Sequence, residues 1–180
     1  MATYTSKLNL KKPAGTENIN IADINGNMDT LMAIMEYNGS MLGKEEIRSI
    51  LEVRWGLEQM TLHRVISNAS NSDLEKLARF IDALENNPSP VQAADIAFAF
   101  HHELTLIGGT SILPLIYTSF KAPCISLWIR FCRKYGVAAL HSNMEELYRL
   151  LLNRDLEGAR NWSNLYLKEA IHGNQQIYDA

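Results

Sequence analysis

The chain has 180 residues, 47% hydrophobic and 21% charged, with a formal net charge of −3 and a pI near 5.9. That length buries a sizeable core in one domain plus appendages, and the mild acidity provides no general electrostatic pull toward nucleic acid or membrane. Two cysteines, Cys124 and Cys132, exclude a disulfide framework, and with no signal-peptide layout and no apolar run of transmembrane length the expectation is a soluble, cytoplasmic protein with reduced thiols.

Residues 1–27 (MATYTSKLNLKKPAGTENINIADINGN) hold Lys11-Lys12-Pro13, Gly15 and Asn25-Gly26 with little apolar mass. They read as a short irregular arm, extended or strand-and-turn, with no helix-turn-helix pattern. From Met28 the pattern turns helical, and helices are predicted at about 28–38, 44–69, 72–86, 90–107, 111–133, 138–153 and 155–171, leaving 174–180 as a tail. Ser72 with Glu75 three residues later has the form of a capping box. Asn86-Asn87-Pro88-Ser89-Pro90 ends one helix and opens the next with Pro90 in its first turn, and Gly108-Gly109 stops that one. Pro114 suits a first turn, whereas Pro123 falls mid-segment and should kink or break its helix. The resulting fold class is all-α, an antiparallel bundle of six to seven helices spanning 28–173.

Within this pattern, polar residues on apolar faces are the informative ones, because a buried polar group needs a partner or a ligand. Along EEIRSILEVRWGLEQMTLHRVI, the stripe through Ile47, Ile50, Leu51, Leu57, Thr61 and Val65 passes over Arg54. An inward arginine requires an anion, either an internal carboxylate or the acid group of a ligand. Glu58, four residues on, is the obvious internal partner, but periodicity puts it at the edge of the stripe. In ADIAFAFHHELTLIGG the stripe Ala94, Ala97, Phe98, Leu104, Thr105 passes through His101, while His102 falls at the edge or outside. An inward histidine is more often a satisfied core residue than a site. Met144, Leu147 and Leu151, then Ala159, Trp162 and Tyr166, form two more inward stripes, which read first as core. Phosphate-cradling glycine loops, CxxC, HExxH and GxSxG are all absent, and no constellation supports an enzyme.

EEIRSILEVRWGLE (45–58) resembles the opening helix of the FCD ligand-binding domain found at the C-terminal end of FadR-type GntR transcription regulators. SNSDLEKLARFIDALE (70–85) resembles that family's D-L-x-x-L helix, and AFAFHHELTLIGGTSIL (97–113) its D-x-x-F-H-x-x-L-x-x-x-x-G-N-x-x-L segment. LIYTSFKAP (115–123) is similar to the helix that follows. MEELYRLLLNRDLEGARNWSNLYLKEA (144–170) resembles H-x-x-I-x-x-A-I-x-x-G-D-x-x-x-A-x-x-x-x-x-x-H. The resemblance covers roughly residues 28–172. It implies a FadR C-terminal domain-like bundle, a homodimer, and an interior pocket for a small acid, sugar acid or acyl-CoA.

Many members of that family hold a divalent metal through one Asp and three His. In this register those positions are Ala97, His101, Met144 and Tyr166, and a single imidazole cannot hold the ion. Asp95 and His141 lie nearby as substitutes, His141 the closer at one turn from Met144. The expectation is nevertheless no metal and no other cofactor. The implied pocket is metal-free, lined by Met144, Tyr148, Trp162 and Tyr166, with Arg54 as anion anchor beside His101.

Regulators of this class carry a winged helix-turn-helix before the sensor, and Lys7, Lys11 and Lys12 are too few to replace one. The arm reads either as a remnant of wing and linker or, through YTSKLNLKKPAGTENINIADINGNMD (4–29), as similar to the N-terminal segment of some phage tail-fibre proteins. Two functional expectations compete. One is an effector-binding module for a small organic anion or acyl-CoA-like ligand, reaching DNA only through a missing or separate domain. The other is a phage-derived structural or assembly protein using the bundle as scaffold. A sensor needs a pocket with a polar anchor, whereas a scaffold packs its core solid.

Overall fold

A computed structural model of the protein describes residues 3–4, 11–12 and 44–172, and the chain divides into two units, 1–41 and 42–180. In the first unit, β1 (Thr3–Tyr4) and β2 (Lys11–Lys12) pair antiparallel, Thr3 opposite Lys12 and Tyr4 opposite Lys11. The helix predicted at 28–38, the rest of the arm and the 174–180 tail lie outside the described residues.

The second unit is all-α. Its longest helix, α1 (Lys44–Asn68), buries Ile47, Ile50, Leu51, Leu62 and Val65. Next come α2 (Asn71–Glu75) and α3 (Ala78–Glu85), where sequence predicts one helix. The capping box is Ser70 with Asp73, not Ser72 with Glu75: the Ser70 side chain accepts from the Asp73 N–H, and the Asp73 carboxylate accepts from the Ser70 N–H. The capping residue therefore lies two residues earlier than expected. It tightens to three-residue hydrogen bonds at Leu77 and Phe80 before α3 continues, as 3₁₀ turns do at helix ends.

Ser89 and Gln92 form a second capping box with Pro90 at the first helical position of α4 (Pro90–Ile107). Gly108 caps its end, and Gly109 turns the chain at φ +73°. From α1, Arg64 and Asn68 donate to the freed carbonyl of Gly108, and Arg64 also donates to that of Gly109. The segment predicted as helical over 111–133, with a kink or break expected at Pro123, is two helices, α5 (Leu113–Ser119) and α6 (Lys121–Tyr135), divided at Phe120. Pro123 accounts for the division: it has no N–H for the Ser119 carbonyl, and its ring would clash there, so a helix can only restart with Pro123 in the first turn. Gly136, at φ +87°, joins α6 to α7 (Val137–Leu152), and α8 (Leu156–His172) follows.

α4 lies at the middle of the unit, packed against α1, α3, α5, α6 and α7, while α8 packs on α1 and α7. Phe100 of α4 and Leu51, Leu74, Leu104, Leu147 and Leu151 are almost fully buried in one continuous core. Among the described residues, no helix is long and apolar enough to cross a membrane.

Candidate functional site

The inward face of α1 carries two charges into that core. Arg54 is 8% exposed and Glu58 is 4% exposed. Periodicity on α1 puts Glu58 at the edge of the stripe; the structure corrects this, because α8 closes over it. The Tyr166 hydroxyl from α8 donates to Glu58 Oε1 and accepts from Arg54 Nη2 at 3.5 Å. Arg54 Nη2 also lies 3.5 Å from Glu58 Oε2, an ion pair one helical turn apart. His101, 4% exposed, comes from α4 and completes the cluster, with Nε2 3.3 Å from Arg54 Nη2 and Nδ1 3.8 Å from Glu58 Oε2.

These partners fix the histidine tautomer. A guanidinium only donates, so Nε2 must accept and the ring proton sits on Nδ1, facing the carboxylate. Burial, reinforced by the Arg54 charge, holds the His101 pKa well below its ordinary value, so the ring is neutral. Burial also raises the Glu58 carboxyl above its ordinary range, against the opposing pull of Arg54. The aromatic surroundings complete the cradle. Trp128 of α6 lies 4.4 Å from the guanidinium carbon, ring centroid to Cζ, and stacks on His101 at 5.4 Å and 19°. Arg54 Nε remains buried without a hydrogen-bond partner.

The cluster borders a cavity of about 50 Å³. One water needs roughly 10–15 Å³ on this scale, so the space suits a small organic molecule. Its polar lining is Arg54, His101, Tyr166 and Asn143. The remaining wall is apolar, with Leu51, Trp128, Leu140 and Met144 among its members. Of the six residues expected around a pocket, Arg54, His101, Met144 and Tyr166 therefore meet at one cavity. Tyr148 and Trp162 do not. Tyr148 is half-buried, on the side of α7 that faces Glu75 and Asp82 of the α2–α3 segment. Trp162 is half-buried and spends its indole N–H on the Asn143 carbonyl at 2.9 Å. The inward stripe of α8 runs instead through Ala159, Ser163, Leu167 and Ala170. Asn143 and Trp128 are among the cavity residues that sequence reasoning misses, and no periodicity signal marks Asn143.

The four positions at which the family resemblance implies metal ligands can be tested by their donors. Ala97 has none, the Tyr166 hydroxyl is committed to Glu58, and both His101 nitrogens face charged partners. Asp95 is exposed, and neither it nor His141 lines the cavity. Among the described residues no group of three or more His, Cys, Asp or Glu could hold a metal. This donor set, with a guanidinium at its centre, does not fit a divalent ion.

No curated protein matches the chain. Among solved structures, E. coli McbR/YncC superposes with a TM-score of 0.58 at 17% identity, covering 82% of this chain and 78% of that one, which is a likeness of fold. Residues 49–169, more than half of the chain, match the FCD domain family. The chain thus belongs to the FCD domain family, the non-enzymatic effector-binding module of GntR/FadR-type transcription regulators.

Proposed function

We propose that the effector of this domain is a small organic acid, bound in the cavity between α1, α4, α6, α7 and α8 with its carboxylate toward Arg54 and its apolar body toward Trp128, Leu140 and Met144. One observation carries this reading: a guanidinium, an imidazole and a phenol converge on a cavity in the core whose remaining wall, Asn143 apart, is apolar. A guanidinium pairs with a carboxylate through directed, charge-assisted hydrogen bonds, and Arg54 still has an unpartnered Nε to offer. The cavity volume favours a small acid over an acyl-CoA, whose bulk far exceeds it. A pocket with a polar anchor also supports a sensor over a scaffold, which would fill its core.

The test is thermal unfolding with a panel of small carboxylates, acetate, butyrate and benzoate among them. A binding acid should raise the midpoint of the wild-type chain, and Arg54→Met should abolish the rise. The double variant Arg54→Met/Glu58→Gln, which removes both buried charges, separates loss of the anchor from loss of the fold. If it is stabilised as much as wild type, or if no carboxylate stabilises wild type, the reading fails.

A further inference from the structure

Glu58 has a second role if the cavity takes an acid, a role that rests on the small-acid reading. Arg54 is the cationic side chain lining the cavity, since His101 is neutral there, and Glu58 already compensates its charge from behind. Glu58 itself does not line the cavity. A carboxylate arriving from solvent would therefore meet an ion pair, not a free cation. Two carboxylates would then share one guanidinium among apolar walls, and a second uncompensated negative charge in such surroundings is strongly disfavoured.

We propose that the site takes up its acid together with one proton from solvent, that Glu58 is the group that accepts the proton, and that Glu58 thereby restricts the effectors to weak monocarboxylic acids, excluding dianions. With Glu58 neutral, Arg54 is released to the incoming carboxylate and the cluster keeps the net charge it had when empty.

Among the described residues, the titratable groups around Glu58 are few. They are Arg54 on its own helix, His101 from α4, Tyr117 from α5, Cys124 from α6 and Tyr166 from α8. From α7 the cavity wall is Leu140, Asn143, Met144 and Leu147, which do not titrate. Burial keeps Tyr117 and Cys124 neutral, the thiol pushed up to about 11. Of these groups, His101 is the rival of Glu58 for the incoming proton.

Isothermal titration of the full chain with benzoate, in buffers of different ionisation enthalpy between pH 6 and 8, counts the protons directly. The expected result is about one proton taken up per benzoate, with affinity falling about tenfold for each pH unit of increase. Phthalate, the corresponding dianion, should bind at least tenfold more weakly at pH 8. In Glu58→Gln the proton uptake should vanish and benzoate affinity should become independent of pH, whereas His101→Asn should keep the uptake. Benzoate binding to wild type without proton uptake overturns the proposal while leaving the small-acid reading intact. Uptake that persists in Glu58→Gln assigns the proton to another group and overturns it too. If acetate, butyrate and benzoate all fail to bind wild type and Glu58→Gln, the small-acid reading falls and this inference with it.

Discussion

Arg54→Met leaves the Glu58 carboxylate in the core with neutral partners alone, the Tyr166 and Ser163 hydroxyls and the His101 ring, and Glu58→Gln leaves a buried guanidinium without its counter-ion. Breaking a buried pair from one side costs about 3–5 kcal/mol, whereas replacing both charges is often close to neutral. Each single variant of the empty protein should therefore lose stability on that scale, and the Arg54→Met/Glu58→Gln double variant should recover most of it. Urea unfolding of the four proteins closes the cycle, and additive losses would show that the two charges are not coupled. Arg54 and His101 are legible in the sequence because each is a polar residue within an apolar stripe of its own helix. The burial of Glu58 is not, because it comes from Tyr166, 108 residues away. Periodicity on α8 assigns Trp162 to the cavity. One helical step of about 100° separates it from Ser163, and that step decides which of the two faces inward.

At the scale of one element, the start of α8 depends on a glycine inside the helix. Asp155 caps it by accepting the Gly158 N–H at 2.8 Å. A Cβ at Gly158 would lie 2.3 Å from Asp155 Oδ2 and 2.8 Å from Leu150 Cδ2. Replacing glycine with alanine within a helix ordinarily stabilises by about 1 kcal/mol. Here Gly158→Ala should have the opposite sign, losing roughly 1–3 kcal/mol as the cap is displaced and Leu150 is crowded. Denaturant titration measures it, and the loss should shrink in an Asp155→Ala background. A stabilised Gly158→Ala would show that the cap and Leu150 yield without cost. Proline, serine and glycine punctuation makes most of the helices from α1 to α8 legible in the sequence, as at Ser89-Pro90 and Gly108-Gly109. The break at Phe120 is legible as well, because Pro123, three residues further on, is expected to kink or break its helix. The interruption at Leu77 is not, because it is a local tightening of hydrogen bonds at a residue that is no helix breaker.

Across the whole molecule, the same buried cluster should govern how stability depends on pH, with two groups acting in opposite directions. His101 is held neutral well below its ordinary value of 6.5. As pH falls below 6.5 the unfolded chain binds a proton that the folded chain refuses, so stability falls by about 1 kcal/mol per pH unit. Glu58 is raised from its ordinary value of 4.5. Between 4.5 and its folded pKa, the folded chain keeps a proton that the unfolded chain has released, so this contribution is lost as pH rises, with the same slope and the opposite sign. Where the two windows overlap the slopes cancel, and these groups should leave the wild-type profile flat. Glu58→Gln removes the falling term and exposes the histidine. Its stability should climb by about 1 kcal/mol per pH unit relative to wild type from pH 4.5 up to the folded Glu58 pKa. His101→Asn removes the rising term, and its stability should drop relative to wild type as pH increases from 4.5 to 6.5. Urea unfolding at pH 4.5, 5.5 and 6.5 resolves slopes of that size. A Glu58→Gln profile parallel to that of wild type would mean that the carboxyl stays ionised in the folded protein throughout, with Arg54 offsetting its burial in full.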